Sequence, residues 1–334
     1  MSLSPQRRRA STPAIVIALL IVYVVWGSTY LGIALMIETL PPLLAAGVRY
    51  LSAGLLLTGL VYLWARVRRA DPPERPTRRQ WGSAFVIGTL LLLGGNGFVV
   101  LAEQFIPSGV AAVVIATVPI WLAVFDALLT RRRPSRLVIG GLAAGLIGVG
   151  VLLAPVGGLD RINPLGVGLV CIAAISWAAG SLYARKAEMP RSGLLGSGME
   201  MFAGGLVLAI VGSLLGEIGQ VDVASISLRS VAAVGYLIVF GSVIAFSAYV
   251  WLLKHVPVST VGTYAYVNPI VAVALGAMVL GESITLRTGV AAVVIIAAVI
   301  AMVSGRPRPA GEPAAEVDAS QREVEPRSVA RAVD

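Results

Sequence analysis

The stretch VPVSTVGTYAYVNPIVAVALGAMVL, residues 256–280, carries no charged side chain. An α-helix needs about 20 mostly apolar residues to cross a bilayer, and this run meets that length. Polar or helix-distorting residues nevertheless lie near its middle, at Tyr264, Tyr266, Asn268 and Pro269. The run therefore predicts a membrane span with polar groups at mid-bilayer depth.

The composition extends this prediction to the whole chain. Of 334 residues, 57% are hydrophobic and 13% are charged, about half the charged share of a soluble domain. Apolar runs of span length, without sustained period-2 alternation, predict an all-α integral membrane protein with ten transmembrane helices. These cover residues 14–35, 43–65, 82–103, 109–129, 137–153, 165–184, 193–215, 231–253, 259–280 and 288–303.

Basic residues fall in alternate loops. One side of the membrane collects Arg7, Arg8 and Arg9 and the clusters at 66–79, 131–136 and 185–191, whereas the other has only Arg161, Arg229 and Arg287. By the positive-inside rule, both termini are cytoplasmic. The net charge of +9 then marks topology and contact with anionic lipid, not a nucleic-acid partner. Segment 1–13 is a cytoplasmic start, and the Pro-, Ala-, Glu- and Arg-rich tail 305–334 is predicted to be disordered.

The second half of the chain repeats features of the first. Pro107 and Pro257 occupy equivalent positions, as do Pro119 and Pro269, and Trp26 matches Trp177 within one residue. Each half, 14–153 and 165–304, holds five predicted spans, so the second half enters the membrane from the opposite face. This 5+5 inverted repeat is typical of secondary transporters, whose substrate site lies near the midplane.

Polar side chains within spans must face other helices or a wet cavity, because unpaired polar groups are costly in hydrocarbon. The positions in span four equivalent to the polar face of span nine carry Val110, Val114 and Val118, which favours cavity lining over helix packing. Packing, or an interfacial belt for the tryptophans, remains an alternative. The candidate substrate-binding residues are Trp26, Thr29, Tyr30, Arg49, Asn96, Trp177, Tyr264, Tyr266 and Asn268.

Other features of the spans have two interpretations each. Pro119 and Pro269 each remove a helix hydrogen bond and are candidate hinges, although proline is also commonly tolerated in spans. Arg49 and Glu200 lie deep enough to bind a solute or to snorkel. The glycine pairs Gly141/Gly145 and Gly212/Gly216 allow close helix contact within one chain or in a homodimer. Glu103, Asp126 and Glu282 lie near span ends, where we expect water to reach them.

Several function classes lack their motifs. The sequence contains no Walker A, HExxH or GxSxG pattern, and His255 has no partner at metal-ligand spacing. We therefore predict no catalytic residue, no metal and no cofactor. A membrane enzyme using Glu200 or Asp126, and a passive facilitator or channel, remain the alternatives to a transporter.

Several stretches together resemble the EamA family of the drug/metabolite transporter superfamily, nearest its drug/metabolite exporter branch. They include VVWGSTYLGI at 24–33, Arg49-Tyr50, Gly95-Asn96-Gly97, and residues 108–119, 240–249, 264–269 and 280–282. The resemblance implies a ten-helix inverted repeat that exports amino acids, other metabolites or toxic compounds across the bacterial inner membrane. It leaves the cargo open. The candidate residues suit a small neutral or zwitterionic amphiphile whose carboxylate Arg49 attracts.

Overall fold

The computed structural model of the chain describes residues 11–69, 71, 73–131, 136–153, 162–256 and 263–304. Within these ranges every regular element is a helix. We number the main helices α1 to α10 in chain order. They are Thr12–Met36 (α1), Pro42–Val67 (α2), Arg78–Ala102 (α3), Ser108–Ile115 with Val118–Thr130 (α4), Arg136–Leu153 (α5), Pro164–Ala184 (α6), Gly193–Leu214 (α7), Leu228–Tyr236 continued by Leu237–Ile244 and Ala245–His255 (α8), Tyr264–Leu280 (α9) and Leu286–Ser304 (α10).

Among the described residues, seven helices, α1 to α4 and α6 to α8, are long and apolar enough to cross a membrane. Helices α5, α9 and α10 contain the shorter apolar stretches Ile139–Val151, Val267–Leu280 and Leu286–Ala298. Large apolar side chains such as Leu63 and Leu214 are exposed, which suits contact with lipid tails. The prediction of an all-α membrane protein is therefore confirmed. Each predicted span coincides with a helix, except that residues 259–262 of the ninth lie outside the described residues.

Helices α2 and α7 form the most extensive helix contact in the described part of the chain. Glycines allow their backbones to touch. A Cβ added to Gly54 would lie 2.5 Å from the Phe202 nitrogen, and one added to Gly205 would lie 2.5 Å from the Leu51 nitrogen. Because lipid tails are as apolar as leucine, such close van der Waals packing is a main source of helix association in membranes.

The remaining helices pack around this pair. Helix α1 contacts α8 and α9, α6 contacts α3 and α4, α4 contacts α9, and α5 contacts α10. Gly145 of α5 faces Ile120 of α4, and Gly212 of α7 faces Leu43 of α2. One member of each predicted glycine pair is thus used within the chain, and a homodimer remains a prediction.

Two helices contain π-helical segments that the sequence patterns do not predict. They are Thr89–Gly97 in α3 and Leu237–Ile244 in α8. A π segment breaks the regular hydrogen-bond ladder, and such segments are frequent at functional sites. The segment in α3 carries Gly94, Gly95 and Gly97, and the segment in α8 carries Gly241. The site described below is built against these glycines.

The two candidate hinge prolines lie in different local structures. Helix α4 is interrupted after Ile115, and Pro119 is the second residue of its second part. Pro269 instead lies inside the continuous helix α9. The interruption shows where α4 can bend, but the hinge role of either proline stays a prediction.

Candidate functional site

An aromatic cluster joins α1, α8 and α9. The ring centroid of Trp26 lies 5.1 Å from Tyr249, 5.1 Å from Tyr264 and 6.2 Å from Phe246. The indole nitrogen of Trp26 donates a hydrogen bond to the carbonyl oxygen of Gly241, at 3.1 Å, in the π segment of α8. Trp26 and Tyr264 are both half-buried. The structure thus brings these two predicted site residues together and adds Phe246 and Tyr249, which the sequence analysis missed.

Arg49 of α2 lies beside this cluster and is 3% exposed. Its Nε donates to the Ser242 hydroxyl at 3.2 Å, and its guanidinium carbon lies 4.5 Å from the centre of the Tyr50 ring. Arg49 therefore does not snorkel to the interface, since the helices hold it inside. A Cβ added to Gly241 would lie 3.4 Å from Arg49 Nη2 and 3.1 Å from the Thr29 methyl group, so Arg49 and Thr29 meet at the same glycine as Trp26.

Tyr30 lies between the two largest buried clusters of the bundle. It packs against one cluster that contains Tyr50 and Val99, and against another that contains Ala102. It lies one turn of α1 from Trp26 and on the same face of that helix. Tyr30 thus connects the aromatic cluster to the end of α3.

Trp177 and Asn96 lie at a second place, where α6 crosses α3. A Cβ added to Gly95 would lie 2.7 Å from the Trp177 ring. Nearby, the Ser176 hydroxyl donates to the carbonyl oxygen of Leu90 at 2.8 Å. Asn96 follows Gly95 in the π segment and is half-buried. Both tryptophans therefore rest on glycines of π segments, Trp26 on α8 and Trp177 on α3.

Asn268 is 7% exposed and lies in the contact between α9 and α1. With its amide nitrogen turned toward two backbone carbonyls, it donates to the oxygens of Tyr23 and Tyr264, at 3.1 Å each. In this conformation its amide therefore acts in helix packing, which was one of the two alternatives. The side chain of Tyr266 lies outside the described residues.

The three carboxylates near span ends differ from one another. Asp126 is water-exposed, with 57% of its side chain accessible. Glu282 accepts hydrogen bonds from the Ser108 nitrogen and hydroxyl, both at 2.8 Å, and from the Gly109 nitrogen at 3.1 Å. Both carboxylate oxygens of Glu103 are buried and have no hydrogen-bond partner among the described residues. The expectation of free water access is wrong for Glu103, whose sequence position just past an apolar run gave no sign of its burial.

Comparisons with known proteins agree with this architecture. The model of the EamA-like transporter family matches residues 13–154 and again residues 164–304. The chain is 42% identical over 290 residues to the protein named Uncharacterized inner membrane transporter YedA of Escherichia coli (strain K12), covering 86% of this chain and 90% of that protein. It is 27% identical over 293 residues to the Probable amino-acid metabolite efflux pump of Salmonella typhimurium (strain LT2), covering 86% and 93%.

A solved crystal structure shares the fold, with a TM-score of 0.57 at 19% identity, over 88% of this chain and 97% of that one. At this identity the likeness concerns the fold alone. The apolar helices and the inner-membrane relatives together make this chain a multi-pass inner-membrane protein. The two matches of the family model cover most of the chain. The chain therefore belongs to the EamA-like transporter family and is a membrane transporter of that type.

Proposed function

We propose that this protein is a secondary exporter of small metabolites, either amino acids or related amphiphiles, drug-like compounds included. It moves them outward across the inner membrane by alternating access. The observation that carries the proposal is the pair of tryptophans that rest on π segments of distant helices, Trp26 on Gly241 and Trp177 on Gly95.

A 5+5 inverted repeat requires such reciprocal contacts, in which each half packs against the other in the same way. In the proposal, α1–α5 (residues 14–153) and α6–α10 (residues 165–304) are the two halves. Shifting each helix number by five turns the α1–α8 contact into α6–α3 and the α1–α9 contact into α6–α4. The contacts α2–α7, α4–α9 and α5–α10 map onto themselves. All of these pairs occur, and the family model matches once in each half, which supports ten spans and two similar halves that rock about one site.

The proposed site lies between the halves. Its aromatic faces stack on the apolar part of the solute, while hydroxyls, amides and Arg49 orient the polar part. The contacts of Trp26, Thr29, Tyr30, Arg49 and Tyr264 around the α8 π segment support a common site for these residues. Trp177 and Asn96 form its counterpart on α3. Tyr266 and Asn268 stay in the proposal as binding residues, with Asn268 released from packing when α1 and α9 separate. Pro119 and Pro269 are its hinges.

The proposed orientation puts both termini in the cytoplasm and the loop between α1 and α2 outside. On that outer side, bonds between the halves are numerous. Glu38 pairs with Arg229 at 3.4 Å, the Ser227 nitrogen donates to Thr39 at 3.1 Å, and Glu282 holds Ser108. These bonds support a conformation that is closed to the outside, one of the two states that alternating access requires.

Purified protein in proteoliposomes tests the proposal, with the standard L-amino acids and a pH gradient. We expect protein-dependent accumulation of unaltered solute. Trp26→Ala should slow it about tenfold, because lost ring contacts of about 0.5–1.5 kcal/mol each weaken the site. The control Trp64→Ala removes a tryptophan that is 59% exposed on α2 and should change the rate less than about twofold.

Other outcomes would favour the alternatives. Chemically altered solute would indicate a membrane enzyme. Equilibration without accumulation, whatever the pH gradient, would indicate a passive facilitator or channel. Equal rates in the two tryptophan variants would remove Trp26 from the site.

A further inference from the structure

Two ionisable side chains near the aromatic cluster, Arg49 and Glu103, have buried polar atoms without a hydrogen-bond partner among the described residues. Arg49 uses Nε on Ser242, but its Nη1 is buried without a hydrogen-bond partner among the described residues. The same holds for Oε1 and Oε2 of Glu103. Buried polar groups in native proteins are nearly always hydrogen-bonded, so each exception needs an explanation such as a missing ligand.

These groups belong to one region of the bundle. The end of α3 packs against α2, and Tyr30 contacts both the cluster that contains Tyr50 and the cluster that contains Ala102, the neighbours of Arg49 and Glu103. Glu103 interacts electrostatically with Arg49 and with Glu282. Yet Arg49 and Glu103 do not form an ion pair with each other in the described structure.

The neighbours of Glu103 explain why its carboxylate stays unpaired. The backbone nitrogens and the hydroxyl at the start of α4, from Ser108 and Gly109, all donate to Glu282 instead. Arg49, a cation of the same region, donates to Ser242 of α8. A carboxylate without donors is energetically costly inside a protein. The cationic group of a bound solute would offset that cost.

We propose that Arg49 and Glu103 form a clamp for a zwitterion, in which Arg49 Nη1 binds the carboxylate of the solute and Glu103 binds its protonated amine. The inference rests on the proposed function and narrows its substrate class to solutes that carry both groups, with the aromatic cluster beside the clamp contacting the side chain. Solutes without a free amine lose the contact to Glu103 and bind poorly.

The test measures transport in proteoliposomes for the best-transported standard L-amino acid, its N-acetyl derivative and its methyl ester. Glu103→Gln should raise KM for the amino acid about 10–100-fold with little change in kcat, because it removes a charge-assisted hydrogen bond to the amine. The N-acetyl derivative should be moved poorly, and equally, by wild type and variant. Arg49→Gln should lower transport of the amino acid, whose carboxylate loses its partner. It should not lower transport of the methyl ester, which has no carboxylate. Glu74→Gln, on a carboxylate that is 78% exposed, is the matched control.

A second measurement needs no substrate. Because Glu103 has no bond to lose in the substrate-free protein, Glu103→Gln should melt at the same temperature as wild type or higher. A lower melting temperature would show that the carboxylate is bonded within the protein, and it would overturn the clamp.

The remaining outcomes separate the inference from the proposed function. Transport only of compounds without an amine would overturn the clamp but leave the exporter intact. An unchanged KM for Glu103→Gln, with loss of pH-gradient coupling, would make Glu103 a proton carrier and also overturn the clamp. Absence of any transport by wild type would overturn the proposed function and the clamp with it.

Discussion

Glu217, in the 3₁₀ turn Glu217–Gln220 after α7, is expected to be a main anchor between the two proposed halves. It is 5% exposed, and its two carboxylate oxygens accept from the Leu43 nitrogen at 3.1 Å and the Leu44 nitrogen at 2.7 Å. These amides begin α2, where the helix itself offers them no acceptor. The positive end of the helix dipole further favours a carboxylate there.

Replacing Glu217 by alanine leaves both amides without this acceptor. Each unsatisfied buried donor costs about 1–3 kcal/mol, and partial access of water at a helix end reduces the total to about 2–4 kcal/mol. For a chain of this size, that corresponds to a fall in melting temperature of about 4–8 °C. Glu217→Gln keeps one acceptor oxygen, so its melting temperature should fall about half as far.

Thermal unfolding of the purified protein in detergent, followed by intrinsic tryptophan fluorescence, measures the effect. Glu74→Ala is the control, because its ion pair with Arg191 is 3.9 Å long and its side chain is 78% exposed, so its loss should cost less than about 0.5 kcal/mol. If Glu217→Ala had the same melting temperature as the control, the two hydrogen bonds to the α2 amides would not contribute to stability, and the prediction would be refuted.

Two further substitutions test the packing. Gly54→Ala puts a methyl group 2.5 Å from the Phe202 nitrogen, so α7 must move away and stability should fall by about 1–3 kcal/mol. The control Gly59→Ala has no atom within 4 Å of its Cβ and should be neutral or slightly stabilising. Equal melting temperatures of the two variants would contradict the α2–α7 contact. Asn268→Leu removes one hydrogen bond to Tyr23 of α1 and one to Tyr264 of its own helix α9, so the melting temperature should fall by about 2–4 °C for about 1–2 kcal/mol. Unchanged stability with lost transport would instead assign Asn268 to the solute.

The helices and the family were predictable because their signals are local. A run of about 20 apolar residues specifies a span without reference to the rest of the chain. The ends of α6 and α7 accordingly agree with the predicted spans within one residue. The same rule predicted ten spans, and seven helices of the described residues are long and apolar enough to cross a membrane. Most of the EamA stretches also lie within single predicted spans.

The arrangement of the site was only partly predictable, because it depends on contacts between distant parts of the chain. Trp26 and Tyr264 were found as polar or aromatic residues inside apolar runs. Glu103 was identified as a carboxylate near a span end, but its burial was not predictable, since that burial depends on the arrangement of α1, α2 and α4 around the end of α3. The π segments also had no sequence signal, and the bond from Trp26 to Gly241 in one of them joins residues 215 positions apart in the chain.

The equivalent prolines Pro119 and Pro269 lie in different helix geometries, although their sequence positions match. Identical residues at matching positions predicted matching kinks, yet α4 is interrupted near Pro119 and α9 continues through Pro269. The neighbours differ. The Thr117 hydroxyl donates to the Val114 carbonyl at 2.8 Å at the α4 interruption, whereas Asn268 ties α9 to α1 just before Pro269. The prolines permit a bend, and the side chains around them decide whether it forms.

In the proposed mechanism, the site beside Thr29 opens alternately to the two sides of the membrane. The most direct measurement is thiol labelling of a Thr29→Cys variant in a Cys171→Ser background, which removes the one native cysteine. A charged, membrane-impermeant reagent is added to right-side-out or to inside-out vesicles, with Leu56→Cys on the exposed face of α2 as the lipid-facing control. Alternating access makes Thr29→Cys reactive from both sides, whereas Leu56→Cys should react from neither. Labelling of Thr29→Cys from one side only, or from none, would contradict it.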